Sequence, residues 1–180
     1  MKILAISGSL RKASINSGLL RAIKEQAGSS MDIEIVDIGG LPMYNQDLEE
    51  KYPAEITALK EKIRNADGII IATPEYNRSI PGALKNLFDW TSRPYGETAW
   101  SGRHVAVVGA SLGPIGTALA QYHLKQILNY LGTHVMGQPE FYVGNASDKF
   151  DAEGDLTDEK TKVYLTRLLS AFSSHIKKFV

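Results

Sequence analysis

The sequence has no cysteine among its 180 residues. Disulfides, thiolate nucleophiles, iron–sulfur clusters and cysteine-based zinc sites are therefore excluded as the basis of any activity. The sequence also has no excess of charge of either sign, because 20 Lys and Arg residues balance 20 Asp and Glu residues. A general attraction to nucleic acid or to anionic lipid is therefore not expected, and any anion site must be local.

The sequence also lacks a hydrophobic run long enough for a membrane span or a signal peptide. The first residues, MKILAIS, are mostly apolar, but Gly8 and Ser9 interrupt the run too early for either role. With 43% hydrophobic and 22% charged residues, the composition is typical of a soluble globular protein. We expect a cytoplasmic protein that forms a single domain over residues 1–180.

Strand-like apolar runs alternate with segments of helical periodicity along the chain. Several of the runs are continuously apolar, which is typical of parallel strands buried on both faces. The alternation predicts an α/β fold: a doubly wound, five-stranded parallel sheet of order 2-1-3-4-5 with helices on both faces. The predicted strands are residues 3–7, 33–38, 68–73, 105–109 and 141–143; the predicted helices are about residues 16–27, 53–65, 81–88, 119–131 and 157–178, the last capped by Thr157.

A polar loop, GSLRKASIN, leaves the first predicted strand and leads directly into the first helix. Its short polar side chains lie at a helix N-terminus, where free N–H groups and the positive end of the helix dipole favour an anion. Arg11 adds a guanidinium group that suits phosphate oxygens. A structural alternative is that Ser14 or Asn16 only caps the helix. The loop has no P-loop or dinucleotide glycine pattern, which favours a mononucleotide.

A second loop, TPEYNRSIPG, leaves the third predicted strand, and the strand order places it beside the first loop. Pro74 fixes the chain as it leaves the strand, while Tyr76 and Asn77 are placed where a flat aromatic ligand could lie. The alternative is an ordinary turn before a helix, on which Lys85, Asp89 and Arg93 form a solvated charge ladder.

Four segments, GSLRKASIN, LPMYNQDL, PEYNRSIPGALKNLFDW and GASLGPIGT, carry a resemblance to a known family. Together they resemble the NADPH-dependent FMN reductase family of flavodoxin-like oxidoreductases, which includes quinone, azo and chromate reductases. The matching segments occur in order between residues 3 and 117. The rest of the chain supports only the fold.

The resemblance implies noncovalently bound FMN, with hydride passing from NADPH or NADH to FMN and on to a quinone, flavin or similar small acceptor. It also implies a homodimer with the flavin near the subunit interface, and it leaves a homotetramer open. By position, Ser9, Arg11, Ser14, Asn16 and Ser17 would hold the phosphate, Pro74, Glu75, Tyr76 and Asn77 would line the ring, and Ser111 and Gly113 would approach from the fourth strand.

Two other classes of function are compatible with the sequence. GASLG matches the G-x-S-x-G pattern of a serine esterase, in which Ser111 would be the nucleophile, Asp148 or Asp151 the acid and His175 the base. The other class is a non-catalytic flavin electron carrier. The four histidines show no close ligand pair, so we do not expect a metal site.

Aromatic and polar side chains outside these motifs have two interpretations each. Tyr44, Asn45 and Gln46 either shape the substrate mouth or form an ordinary surface turn. The aromatic residues that follow the third helix are either partly core or part of a subunit interface; they are Trp90, Tyr95 and Trp100.

Overall fold

The computed structural model describes residues 1–178. Strands and helices alternate through most of this range, as the sequence pattern predicts. The strands are β1 (Lys2–Ser7), β2 (Asp32–Val36), β3 (Gly68–Ala72), β4 (His104–Ala110), β5 (His134–Val135) and β6 (Phe141–Val143). The helices are α1 (Ile15–Ala27), α2 (Ala54–Asn65), α3 (Gly82–Thr91), α4 (Ala118–Tyr130) and α5 (Glu159–Lys177).

The strands form one parallel sheet in the predicted order, β2-β1-β3-β4-β5. The position next to β4 is divided between two short strands. β5 pairs with the start of β4, where His104 lies opposite His134, and β6 pairs with its end, where Val108 lies opposite Phe141. The prediction of one fifth strand at residues 141–143 missed β5, because a two-residue strand is too short to produce a periodic pattern.

Alternate residues of the central strands pack into two hydrophobic clusters on opposite faces of the sheet. Ile70 packs on the side covered by α1 and α5, whereas Ile69 and Ile71 pack on the side covered by α2, α3 and α4. Every residue of β3 is buried, which explains its continuously apolar sequence. The doubly wound architecture therefore follows from burying both faces of the sheet.

The start of α5 differs from the prediction. The capping side chain is Asp158, whose carboxylate accepts a 2.7 Å hydrogen bond from the Thr161 N–H. Thr157, the predicted cap, instead donates its hydroxyl to the Lys149 carbonyl at 3.2 Å. Asp ranks above Thr as a helix cap, and the hydroxyl of Thr157 is already used by the preceding loop.

The aromatic residues after α3 divide between the interior and the surface. Trp90 and Trp100 are fully buried, and their indole N–H groups donate to the Pro42 carbonyl and to the Thr91 hydroxyl. Tyr95 is 92% exposed.

Within residues 1–178, none of the helices combines the length and the apolar character needed to cross a bilayer.

Candidate cofactor-binding site

Three loops meet at the carboxyl end of the sheet: the β1 loop (residues 8–14), the β3 loop (residues 73–81) and the β4 loop (residues 111–117). Gly8 of the β1 loop donates its N–H to the carbonyl of Ala72, the last residue of β3, at 2.8 Å, and it packs closely against Pro81 of the β3 loop. A Cβ atom at Gly8 would lie 2.7 Å from the Leu84 side chain and 3.0 Å from Pro81. Glycine is therefore needed for this approach, and the loops form the crevice that this strand order predicts.

The β1 loop is held by a chain of serine hydroxyl groups. Ser14 caps α1 by accepting from the Ser17 N–H at 3.2 Å, and the Ser17 hydroxyl donates to Ser7 at 2.9 Å. The Ser7 hydroxyl also accepts from the Ser9 N–H at 3.2 Å. The structure thus brings three of the predicted phosphate residues together around Ser7. Ser7, the last residue of β1, is not among the predicted phosphate residues.

The N-terminus of α1 keeps free hydrogen-bond donors. Ser14 satisfies only the Ser17 N–H, and within residues 1–178 the backbone N–H groups of Ile15 and Asn16 have no acceptor. Arg11 is exposed nearby in the same loop. Unpaired N–H groups, the helix dipole and a cation together form a donor set that fits a phosphate group.

The side chain of Asn16 has a different environment from the one predicted. Its amide donates to the Ala110 carbonyl at 3.0 Å and accepts from the Ala110 N–H at 2.9 Å. The residue is only 2% exposed. Both ends of the amide are engaged by the end of β4, so only the backbone N–H of Asn16 is available to an anion.

The β3 loop contains a tight turn at the predicted ring-facing residues. Tyr76 and Ser79 exchange two backbone hydrogen bonds of 3.0 Å, and the central residues Asn77 and Arg78 have φ angles of 51° and 63°. Two positive central φ angles are characteristic of a type I′ turn. Asn tolerates this region, whereas Arg costs about 1 kcal/mol there. Such strain is common at ligand sites.

This turn, residues 76–79, presents both donors and an aromatic ring. Within the described part of the chain, the N–H groups of Asn77 and Arg78 have no acceptor. The Tyr76 side chain is 49% exposed, while Pro74, two residues earlier in the loop, is buried. A planar ligand with acceptor atoms at its edge fits this combination.

Glu75 is the predicted ring residue whose side chain is directed elsewhere. One carboxylate oxygen accepts from the N–H groups of Leu119 and Ala120, at 3.1 and 3.2 Å, and the other accepts from Arg78 at 3.0 Å. The side chain is 10% exposed. Its carboxylate therefore caps the first turn of α4.

The Ser111 side chain makes two hydrogen bonds within the β4 loop. Its hydroxyl donates to the Gly113 carbonyl at 2.9 Å and accepts from the Gly116 N–H at 3.1 Å. A Cβ atom at Gly113 would meet nothing within 4 Å. The open space beside Gly113 leaves room for a cofactor to approach this loop.

Comparison with known proteins identifies the family of this chain. Residues 1–148 match the family model described as NADPH-dependent FMN reductase. The chain belongs to this family. As an FMN reductase family member it is an oxidoreductase that uses FMN with a reduced nicotinamide.

Individual relatives of this reductase cover almost its full length. A 2-hydroxy-1,4-benzoquinone reductase of Burkholderia sp is 43% identical over 98% of this chain and 97% of its own. A quinone reductase of Escherichia coli K12 is 41% identical over 99% and 96%. The structure of FerB, a flavoenzyme NAD(P)H:(acceptor) oxidoreductase from Paracoccus denitrificans, is 41% identical, with a TM-score of 0.91 over 99% and 98%. An archaeal flavodoxin, 12% identical with a TM-score of 0.63, supports the fold alone.

The reductase does not assemble the predicted esterase residues. His175 lies at the opposite end of the sheet, where its Nε2 is 2.9 Å from the His134 carbonyl oxygen and its ring is 5.5 Å from that of His104. β4 runs from His104 to Ala110, just before Ser111, so the separation is about 20 Å at 3.3 Å per residue. Ser111 has no contact with this base, which argues against the hydrolase.

The segment containing Tyr44 packs against α3. The Tyr44 N–H donates to the Asn86 side chain at 2.7 Å, and its ring meets Trp90 edge-on at 5.1 Å. Its hydroxyl donates to Glu49 at 2.6 Å, and this hydrogen bond raises the pKa of Tyr44. Asn45 caps a short 3-10 turn that begins at Gln46.

Among the described residues, no cluster of His, Asp and Glu suits a metal ion.

Proposed function

We propose that this reductase transfers hydride from NADPH or NADH to FMN bound in the crevice, and from there to a quinone. The observation that carries the proposal is the contact between two complementary loops. The β1 loop offers the unpaired N–H groups of Ile15 and Asn16 beside Arg11, and the β3 loop offers the N–H groups of Asn77 and Arg78. A ligand that places a phosphate at the first loop and the edge of a flat ring at the second has the shape of FMN.

The protein residues bind and orient, since FMN when bound supplies the hydride chemistry. Hydride transfer through FMN needs no protein nucleophile, so the absence of cysteine from the sequence does not limit this reaction. The exposed turn of the β3 loop supports the ring plane and directs backbone donors at its edge. The proposed phosphate residues are Ser9, Arg11, Ser14 and Ser17 with the backbone of Asn16, and the proposed ring residues are Pro74, Glu75 through its backbone, Tyr76, Asn77, Ser111 and Gly113.

The surroundings of the crevice favour an apolar acceptor. The loops that follow β1, β2 and β4 expose large apolar side chains, which individually range from 43% to 76% exposed. A planar quinone buries apolar surface against such side chains, whereas a metal oxyanion does not. Several relatives carry the name quinone reductase. The exposed residues are Leu10, Met43, Leu112 and Ile115.

The decisive experiment measures flavin content and acceptor-dependent oxidation of the nicotinamide. Purified protein should show the absorption bands of FMN, or acquire them after reconstitution, and should oxidise NADPH or NADH faster with 1,4-benzoquinone than with chromate. Oxidation without a partner protein excludes a pure electron carrier. Failure to retain FMN, or labelling of Ser111 by an organophosphonate, would contradict the proposal.

We also propose that the reductase is a homodimer located in the cytoplasm. Support comes from a groove of about 590 Å³ between α3 and α4, lined by Phe88, Ile127 and Leu131 and bordered by Tyr130, which is 86% exposed. An exposed tyrosine beside partly buried apolar side chains is typical of protein interfaces. Light scattering should give a dimer for the wild type and a monomer for Tyr130→Glu. A tetramer would appear in the same measurement, and cell fractionation tests the location.

A further inference from the structure

Helix α4 begins without a capping group of its own. Its N-cap residue, Thr117, has a left-handed φ of 67° and makes no side-chain bond to the first turn. The Thr117 hydroxyl oxygen instead accepts from Gln121 at 3.1 Å. No acidic residue lies in the first turn. The first N–H groups of α4 therefore need an acceptor from another part of the chain.

Glu75 supplies that acceptor from 44 residues earlier in the sequence. One oxygen of its largely buried carboxylate accepts from both Leu119 and Ala120, which are the second and third residues of the helix. A carboxylate at this position interacts favourably with the helix dipole as well as with the two N–H groups. The charge is further balanced by Arg78.

The same contact fixes the turn at residues 76–79. Glu75 immediately precedes the turn, and Ser79 at its other end lies 3.0 Å from the His123 ring nitrogen, also on α4. Both ends of the turn are thus attached to one helix. Two consecutive residues with left-handed φ angles persist only where surrounding contacts determine the backbone. The attachment to α4 provides those contacts.

We infer that Glu75 is a positioning residue: by capping α4 it holds the turn at residues 76–79 ready for the FMN ring, without contacting the ring through its carboxylate. The inference rests on the proposed function. If the turn is preorganised, FMN binding does not have to order it, and affinity is correspondingly higher. Loss of the carboxylate should loosen the first turn of α4 and the β3 loop together.

The first test measures the apoprotein, in which no flavin is involved. Glu75→Gln keeps the side-chain size, but its NH2 group faces donors either on α4 or on Arg78. Hydrogen exchange followed by mass spectrometry should show faster exchange in peptides spanning residues 74–80 and 116–122. Glu61→Gln is the matched control, because it makes the same chemical change in another Glu–Arg pair three residues apart, Glu61–Arg64 on α2. Unchanged exchange in both peptides of Glu75→Gln would overturn the inference.

The second test measures FMN. We expect the Kd from fluorescence quenching to rise about tenfold in Glu75→Gln and to stay unchanged in Glu61→Gln. At saturating FMN, turn N–H groups that are displaced should stabilise reduced flavin less. If the preference of the protein for reduced over oxidised flavin falls tenfold, the two-electron potential falls by about 30 mV. A purely structural defect would lower stability and leave this potential unchanged.

Arg78→Gly separates the two contacts of Glu75. Glycine adopts the left-handed turn conformation without strain, so this variant removes the ion pair while leaving the bonds to α4. We expect smaller changes in exchange and in Kd than for Glu75→Gln; equal changes would assign the effect to Arg78 and overturn the role of α4. If wild-type protein does not bind FMN, the proposed function fails, while the exchange experiment still decides whether Glu75 couples the two segments.

Discussion

The Asn16 side chain makes two hydrogen bonds, of 3.0 and 2.9 Å, to the backbone carbonyl and N–H of Ala110, 94 residues away. Asn16 lies in the first turn of α1, and Ala110 ends β4. The pair therefore connects the start of α1 with the end of β4, next to the β1 and β4 loops. Its geometry assigns the Asn16 side chain to holding the loops together.

Asn16→Ala should lower the free energy of unfolding by about 2–3 kcal/mol, because it leaves both backbone groups of Ala110 buried and unpaired. Urea denaturation of the apoprotein measures this loss. Asn129→Ala is the control, since Asn129 is exposed on α4. Equal losses in the two variants would show that the bonds to Ala110 contribute no net stability.

Arg11→Ala should weaken FMN binding about tenfold, because a charge-assisted hydrogen bond to the phosphate contributes about 1.5–3 kcal/mol. Riboflavin carries the same ring without a phosphate, so its affinity should not change. Titrations of the apoprotein with both ligands measure the difference. Lys24→Ala removes an exposed cation from the far end of α1 and should affect neither ligand. A parallel loss for FMN and riboflavin would reject Arg11 as a phosphate ligand.

The strand order and the position of the crevice could be predicted because they depend on local patterns. Continuous apolar runs such as β3 identify buried parallel strands, and their alternation with helices limits the topology. The polar loops after β1 and β3 then meet at one end of the sheet. Both loops could therefore be predicted to line one crevice, while the roles of their serines, Arg11 and Tyr76 in holding FMN stay predictions.

The side-chain roles that the sequence did not reveal depend on distant partners. Asn16 and Glu75 are polar residues in polar loops, and nothing local distinguishes a ligand contact from a bond to Ala110 or to the start of α4. Ser7 fits the end of a strand by its position in the sequence, and only the folded chain shows that its hydroxyl organises the loop. In each case the deciding contact exists only once the sheet has formed.

Gly113→Ala should reduce FMN affinity about tenfold without changing the stability of the apoprotein. A methyl group there meets no protein atom within 4 Å, so it would occupy only the space proposed for the cofactor. Gly137→Ala is the matched control, because its Cβ is equally unobstructed but lies in the segment between β5 and β6. Fluorescence titration and urea denaturation measure the two quantities. If FMN binds Gly113→Ala as tightly as the wild type, Gly113 does not line the site.

A cluster of three histidine rings at the other end of the sheet should make stability depend on pH. The His104 ring stacks on His134 at 5.2 Å and meets His175 edge-on at 5.5 Å. Burial lowers the pKa of His104 below its ordinary value of about 6.5, and the neighbouring His175, His134 and Arg103 lower it further. The folded protein therefore takes up this proton at lower pH than the unfolded chain.

Because the unfolded chain binds the His104 proton first, stability should be fully present above about pH 6.5 and should fall as the pH drops from there toward the lower pKa of the folded state. The contribution of one proton cannot exceed about 1.4 kcal/mol per pH unit. His104→Gln removes the proton uptake, so urea denaturation of the apoprotein between pH 5 and 8 should give a flatter curve than the wild type. Parallel curves for the two proteins would mean that His104 has the same proton affinity in both states, and the cluster would then have no part in the pH response.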